Sequence, residues 1–60
     1  METIRVAGKN QRGCNRINEH GDTFVFKRAG MMNGQSAILV ESLDGKWMGW
    51  FTEDEVEILS

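Results

Sequence analysis

Apolar residues in this 60-residue chain come in short runs separated by Gly, Asn and Asp, and no run keeps a helical period beyond a turn or two. That pattern is typical of β-strands. We expect five strands, over residues 3–7, 23–28, 35–43, 46–51 and 56–59. The polar, glycine-containing segment 8–22 is expected to be a long first loop, either mobile or paired within itself. One short helical turn over 12–20 is the alternative.

Two dipeptides predict the tight turns. Asn33-Gly34 supplies residues that accept positive φ at the end of a turn over 29–34, and Asp44-Gly45 predicts a two-residue type I′ hairpin. Thr52 with Glu55 three residues later predicts one N-capped helical turn before the last strand. Together these elements predict an all-β fold: a small five-stranded barrel forming a single domain over 1–60. Closure of the barrel would remove exposed sheet edges.

The Asp44-Gly45 turn also predicts a register, which sets Leu39 opposite Trp50, Glu41 opposite Met48 and Ile38 opposite Phe51. One face of this hairpin is then assigned to the core. The core residues are Ile38, Val40, Trp47 and Phe51, joined by Phe24, Phe26, Val56 and Ile58. The opposite face is also apolar and holds Leu39, Leu43, Met48 and Trp50. Such a patch marks an interface if it is exposed, and the alternative is that the long first loop covers it.

Length and composition narrow the class of protein. Sixty residues form one small domain. The single cysteine, Cys14, cannot form an internal disulfide, and no Cys or His cluster suits a metal. We therefore expect no metal and no cofactor. No apolar run reaches the ~18 to 20 residues of a membrane span, and the N-terminus does not resemble a signal peptide. These features favour a cytoplasmic protein with no membrane contact.

The charges are unevenly distributed, although the formal net charge is only −2. Residues 1–30 carry most of the basic side chains, and residues 31–60 carry most of the acidic ones. Five basic side chains are candidates for binding nucleic-acid phosphates: Lys9, Arg12, Arg16, Lys27 and Arg28. The pI of about 5.2 and the lack of aromatic residues between Ala7 and Asp22 make this the less favoured interpretation. The acidic residues Glu53 and Asp54 are expected to flank a partner's binding surface.

The C-terminal part of the chain resembles an SH3 domain. The similarity rests on Asp44-Gly45, on Gly49-Trp50-Phe51 followed by Val56-Glu57, and on Gly21-Asp22 before the second strand. The resemblance spans about residues 21–59 and implies an SH3-like barrel. Thr52 stands where the family has a proline and Glu55 where it has a tyrosine, so no polyproline ligand is expected. The KOW and Tudor modules and the photosystem I accessory subunit are similar to the same degree.

The sequence therefore favours a non-catalytic protein-interaction module or small accessory subunit, bound to a protein partner or to copies of itself. The predicted partner-binding residues are Leu39, Met48, Trp50, Glu53 and Asp54. The alternative is a nucleic-acid-binding barrel that uses the five basic residues. Cys14 and His20 are a conceivable nucleophile–base pair, but no third orienting group is identifiable. We therefore expect no catalytic residues.

Overall fold

The computed structural model describes residues 2–59. Within that range the chain forms five strands and one helix. In order they are β1 (Thr3–Gly8), α1 (Gln11–His20), β2 (Thr23–Met32), β3 (Gln35–Ser42), β4 (Met48–Thr52) and β5 (Val56–Ile58). All pairings are antiparallel, and the strand order is β4-β3-β2-β1-β5. The all-β class is confirmed.

The sheet curls but does not close. β1 pairs with β2 through Thr3–Arg5 and with β5 through Val6–Gly8, and β2 carries an irregularity between Phe26 and Arg28. β4 and β5 remain edges, separated by an apolar gap of about 220 Å³. The expected closure is therefore wrong, because the three-residue β5 pairs along β1 only. The arrangement is compatible with an SH3-like small barrel.

The predicted first loop contains the ten-residue helix α1. The side chain of Asn10 caps its N-terminus by accepting the Gly13 N–H at 2.9 Å. At its C-terminus Gly21 has φ 90° and donates its N–H to the Ile17 carbonyl at 2.7 Å. Ile17 is the apolar residue that α1 packs against the core. Gly13, Ile17 and His20 recur at helical spacing on the inner side of α1, but Ile17 is the only large apolar residue among them. The period is therefore carried mainly by polar residues, and the caps are the clearer signal.

The two predicted tight turns differ in outcome. Asn33 and Gly34 have φ values of 53° and 78°, as a type I′ hairpin requires, and β2 runs on to Met32 beside them. At Asp44-Gly45 only Gly45 has positive φ, so that reversal is not type I′. The connection is wider, because the Ser42 N–H donates to the Trp47 carbonyl at 2.8 Å.

The predicted register survives this wider connection. Leu39 lies opposite Trp50, Glu41 opposite Met48 and Ile38 opposite Phe51. Symmetric extension of a two-residue loop to a longer one keeps the same cross-strand partners, so the error in turn type did not propagate into the sheet. The segment before β5 is a hydrogen-bonded turn over 53–55 rather than a helix, and it forms one of the two expected capping bonds. The Glu55 carboxylate accepts the Thr52 N–H at 2.9 Å, and the Glu55 N–H donates to the Thr52 carbonyl at 3.0 Å.

The connection between β3 and β4 is held by one carboxylate. Asp44 accepts the Ser42 hydroxyl at 2.6 Å and the Lys46 N–H at 3.0 Å. The buried Ser42 hydroxyl in turn accepts the Trp47 N–H at 3.0 Å. The hydrogen bond from Ser42, and then the one from Lys46, hold the pKa of Asp44 below its ordinary value.

A lowered pKa in the folded state means that ionised Asp44 stabilises the fold. The stabilisation is complete above the unfolded-state pKa of about 4 and is lost as the pH falls through the folded-state pKa. We therefore expect the wild type to exceed Asp44→Asn in urea midpoint at pH 6, and the difference to shrink steadily below about pH 4. A difference that stays constant from pH 6 to pH 2 would contradict the role given to this carboxylate.

The core is built from five buried side chains, Val6, Phe24, Val40, Phe51 and Val56. Around them pack four partly buried side chains, Ile4, Ile17, Ile38 and Trp47. The rings of Phe24 and Phe51 meet edge to face with centroids 5.3 Å apart.

Two of the predicted core residues lie elsewhere. Ile58 is 51% exposed, because it borders the gap where the sheet fails to close. Phe26 is only partly buried and lies outside the buried cluster, at the irregularity in β2.

Candidate functional site

Leu39, Met48 and Trp50, which we call the outer apolar face, lie together on one side of β3 and β4. Met48 is 55% exposed, and Leu39 and Trp50 are partly buried. The indole of Trp50 lies over Gly30, where a Cβ atom would come within 3.2 Å of the ring. The Arg28 guanidinium lies 5.6 Å from the centroid of the same ring. Trp50 therefore has a neighbour on two sides, the main chain at Gly30 and the Arg28 guanidinium.

Helix α1 lies on the other side of β4. His20 stacks on Trp47 with ring centroids 4.5 Å apart, and the Arg16 guanidinium lies 5.5 Å from the Trp47 ring centroid. Trp47 also packs against the core, so this is the inner side of the strand. The segment 8–22 therefore covers Trp47 and not the outer apolar face.

A free strand edge separates these two sides. The Ser42 N–H donates to the Trp47 carbonyl, and the Glu53 N–H donates to the Ser36 carbonyl at 3.0 Å. In an antiparallel pair, every second residue directs its main-chain N–H and C=O groups to the partner strand. The residues of this strand that bond to β3 are therefore Trp47, residues 49 and 51, and Glu53. The main-chain N–H and C=O groups of Met48 and Trp50 consequently point away from the sheet.

A groove with a volume of about 430 Å³ runs along this edge. Its floor is formed by β4, and one wall carries Arg12 and Arg16 from α1. Asp54 and Glu55 close one end. Gln35 also lines the groove, and its buried Oε1 has no hydrogen-bond partner within residues 2–59. No pattern in the sequence indicates that the helix and β4 meet in this way.

The predicted acidic pair is divided between two places. Asp54 lines the groove, and its carboxylate accepts the Thr52 hydroxyl. Glu53 lines the apolar gap between β4 and β5, and its main-chain carbonyl accepts Lys9 Nζ at 3.0 Å. Asp54 thus shares a groove with Met48 and Trp50, whereas Glu53 does not border that groove.

The five predicted phosphate-binding residues do not form one patch. Arg12 and Arg16 lie on α1 just after Lys9, whereas Lys27 and Arg28 lie at the irregularity of β2. Each has a partner within the chain. Arg12 lies 3.8 Å from Glu55, and Arg16 lies 3.9 Å from Glu19.

On β2 one of the two positive charges is compensated in a similar way, because Lys27 lies 3.6 Å from the Glu41 carboxylate. Arg28 lies near the ring of Trp50, which leaves its charge in place. The carboxylates beside Arg12, Arg16 and Lys27 reduce the positive potential that a phosphate backbone would meet.

Other candidate chemistry stays separate. Cys14 and His20 lie on one helix, six residues apart, so about 240° of rotation directs them to different sides. Within residues 2–59 no three His, Cys, Asp or Glu side chains are grouped to hold a metal ion. Over the same range, no helix has the length and apolar character that a membrane crossing requires.

Comparison of the chain with family models, with curated proteins and with solved structures finds no match. The functional inference therefore rests on the geometry of the groove and of the outer apolar face.

Proposed function

We propose that this protein is a non-catalytic interaction module on an SH3-like small barrel, and that it binds a protein partner through the outer apolar face. The observation that carries the proposal is the setting of Trp50. Its ring is fixed by Gly30 below and Arg28 beside it, next to the exposed Met48. Interfaces concentrate their binding energy in a few such residues, with Trp and Arg enriched among them. An aromatic ring that is already oriented loses little entropy on binding.

The charges around the face favour a protein over a nucleic acid. The basic residues are split between the α1 and β2 regions, and Arg12, Arg16 and Lys27 lie beside carboxylates. The inner tryptophan, Trp47, already stacks with His20. Binding of single-stranded nucleic acid needs free aromatic faces along a continuous positive groove. This arrangement of side chains meets neither condition.

The proposal predicts that a charge placed on the outer apolar face removes partner binding and leaves the fold intact. Peptides selected from a displayed random library against the full chain provide the ligands. We expect Met48→Glu to weaken their binding at least about tenfold, because the new carboxylate must lose its water at the interface. Amide NMR shifts on binding should centre on Leu39, Met48 and Trp50.

The matched control is Met31→Glu, the same change at a methionine that is 69% exposed on β2. Its affinity for the selected peptides should equal that of the wild type. Equal weakening by both variants would contradict the proposal. So would shifts confined to 9–16 on addition of a mixed-sequence oligonucleotide, because they would favour the nucleic-acid alternative.

A further inference from the structure

The two edges of the sheet are protected to very different degrees. β5 has only three residues and carries Glu57, and shortness and charge both discourage edge pairing. β4 has five residues, Met-Gly-Trp-Phe-Thr, with no charge and no proline, and its pairing with β3 has no bulge. Its edge is also lined by the groove of about 430 Å³. The structure thus leaves the longer, uncharged edge open.

The hydrogen-bonding groups along this edge are available to an incoming strand. Met48 and Trp50 direct their main-chain N–H and C=O groups away from β3, as derived above. The next outward N–H, that of Thr52, is taken by the Glu55 carboxylate at 2.9 Å. An added strand would therefore form its ladder on Met48 and Trp50 and end at the turn that begins with Thr52.

A strand added to the edge of β4 would meet a different surface on each of its two faces, so each face favours different side chains. Successive residues of a strand point to opposite faces. On one side an incoming residue meets the outer apolar face, and on the other it meets Arg12 and Arg16 of the groove wall. The groove's own carboxylates, Asp54 and Glu55, lie at the end where the ladder stops. The Arg12 side chain is 85% exposed, and its ion pair with Glu55, like that of Arg16 with Glu19, is long. Both guanidinium groups keep donors for a new carboxylate.

We propose that the partner adds an extended segment of alternating apolar and acidic residues to the free edge of β4, with its carboxylates on Arg12 and Arg16. This inference rests on the proposed function and specifies the kind of partner. Main-chain hydrogen bonds supply affinity in strand addition, and the alternate side chains supply specificity.

The chemistry of the edge fits a different chain better than a second copy. The β4 strand of another copy, Met-Gly-Trp-Phe-Thr, has no carboxylate to offer Arg12 and Arg16. The segment 55–58 of this protein has the same alternation, Glu-Val-Glu-Ile. However, Val56 is 6% exposed in its own core, and Glu55 is bonded to Thr52. The apolar side of β5 therefore cannot turn toward the outer apolar face of another copy without leaving its own core.

The test uses a capped seven-residue peptide in which valine alternates with glutamate, titrated into the labelled full chain at low salt. We expect amide shifts at Met48 and Trp50. Replacing the glutamates by lysines should weaken binding at least about tenfold. N-methylation of the alternate amides that face β4 should weaken it to the same degree, because it removes the main-chain donors.

Variants of the protein isolate the edge and the arginines. Met48→Pro removes an outward N–H and leaves the hydrogen bonds to β3 intact. This variant should therefore fold but no longer bind the peptide. Met48→Thr also loses the methionine side chain but keeps that N–H, so it is the reference for the main-chain contribution. We expect Met48→Pro to bind the peptide at least about tenfold more weakly than Met48→Thr. Arg12→Glu should weaken binding of the peptide. Arg5→Glu, the same charge change at an exposed position of β1, should not.

The outcomes separate this inference from the proposed function. Peptide binding on the outer apolar face that is indifferent to N-methylation and to Met48→Pro overturns strand addition and leaves the interaction module standing. Absence of any shift on β4 with either the valine–glutamate peptide or the selected peptides overturns both. A dimer in sedimentation that Met48→Pro dissociates, with no peptide bound, replaces the partner by a second copy and overturns the inference.

Discussion

Phe24→Ala should remove most of the protein's stability at 25 °C. The Phe24 side chain is fully buried, and its ring meets those of Phe51 and Trp47 at centroid distances of 5.3 and 6.0 Å. Truncation of a buried Phe costs about 3 to 5 kcal/mol. A chain of 60 residues has about 3 to 9 kcal/mol of stability at the usual value per residue. The loss is therefore comparable with the whole free energy of unfolding, and a thermal melt followed by circular dichroism would detect it.

Two further variants keep this prediction testable when Phe24→Ala fails to fold. Phe24→Leu should remain folded and lose about 1 to 2 kcal/mol in urea unfolding, because most of the buried volume is kept. Phe26→Ala is the matched control on the same strand. Phe26 is partly buried and outside the core cluster, so its truncation should cost about 1 to 2 kcal/mol. If Phe26→Ala lost more unfolding free energy than Phe24→Ala, the assignment of Phe24 to the core and of Phe26 to its periphery would be wrong.

These two phenylalanines show that the alternation of residues along a strand does not by itself identify which side chains are buried. Period-two alternation places Phe24 and Phe26 on the same face of β2, and both were expected in the core. The pairing of β2 with β3 shifts between Phe26 and Arg28, which turns the strand as the sheet curls. Nothing local in the run Thr23–Arg28 marks that irregularity.

The hairpin of β3 and β4 was predictable because its signals are local. The alternation of apolar residues on either side of Asp44-Gly45 fixed which residues face each other, and the observed pairs agree. The turn type was not predictable from the dipeptide. Ser42, Asp44 and Trp47 form a hydrogen-bond network that favours a wider loop, and this network depends on a serine that precedes the dipeptide.

The groove could not be predicted, because it requires the helix. Ile17 is the one large apolar residue on the side of α1 that meets the core, and a single such position does not distinguish a helix from a polar loop. The two halves of the groove come from residues about 35 apart in the chain, on α1 and β4. Two of the basic candidates, Arg12 and Arg16, lie along the same strand edge as two of the apolar candidates, Met48 and Trp50, although the two sets suggested different functions in the sequence. That juxtaposition is the reason for combining them in one proposed partner.

Gly13→Ala tests the placement of α1, and with it the wall of the groove. In the interior of a helix this substitution normally stabilises by about 1 kcal/mol. Here a Cβ atom would lie 1.9 Å from the Glu55 carbonyl oxygen and 2.8 Å from its carbonyl carbon. Both are main-chain atoms, and that oxygen also accepts the Lys9 N–H at 2.8 Å. The helix must move away from the turn before β5, so we expect a loss of about 3 kcal/mol in urea unfolding.

The control for this variant is Asn18→Ala, on the exposed side of the same helix, which should gain about 0.5 kcal/mol. In a protein that remains folded, Gly13→Ala should also weaken binding of the valine–glutamate peptide, because displacement of α1 carries Arg12 and Arg16 away from β4. A Gly13→Ala protein at least as stable as the wild type would mean that α1 does not rest on Glu55. The arginines would then not line the edge of β4, and the acidic preference of the groove would lose its basis, whereas the outer apolar face would be unaffected.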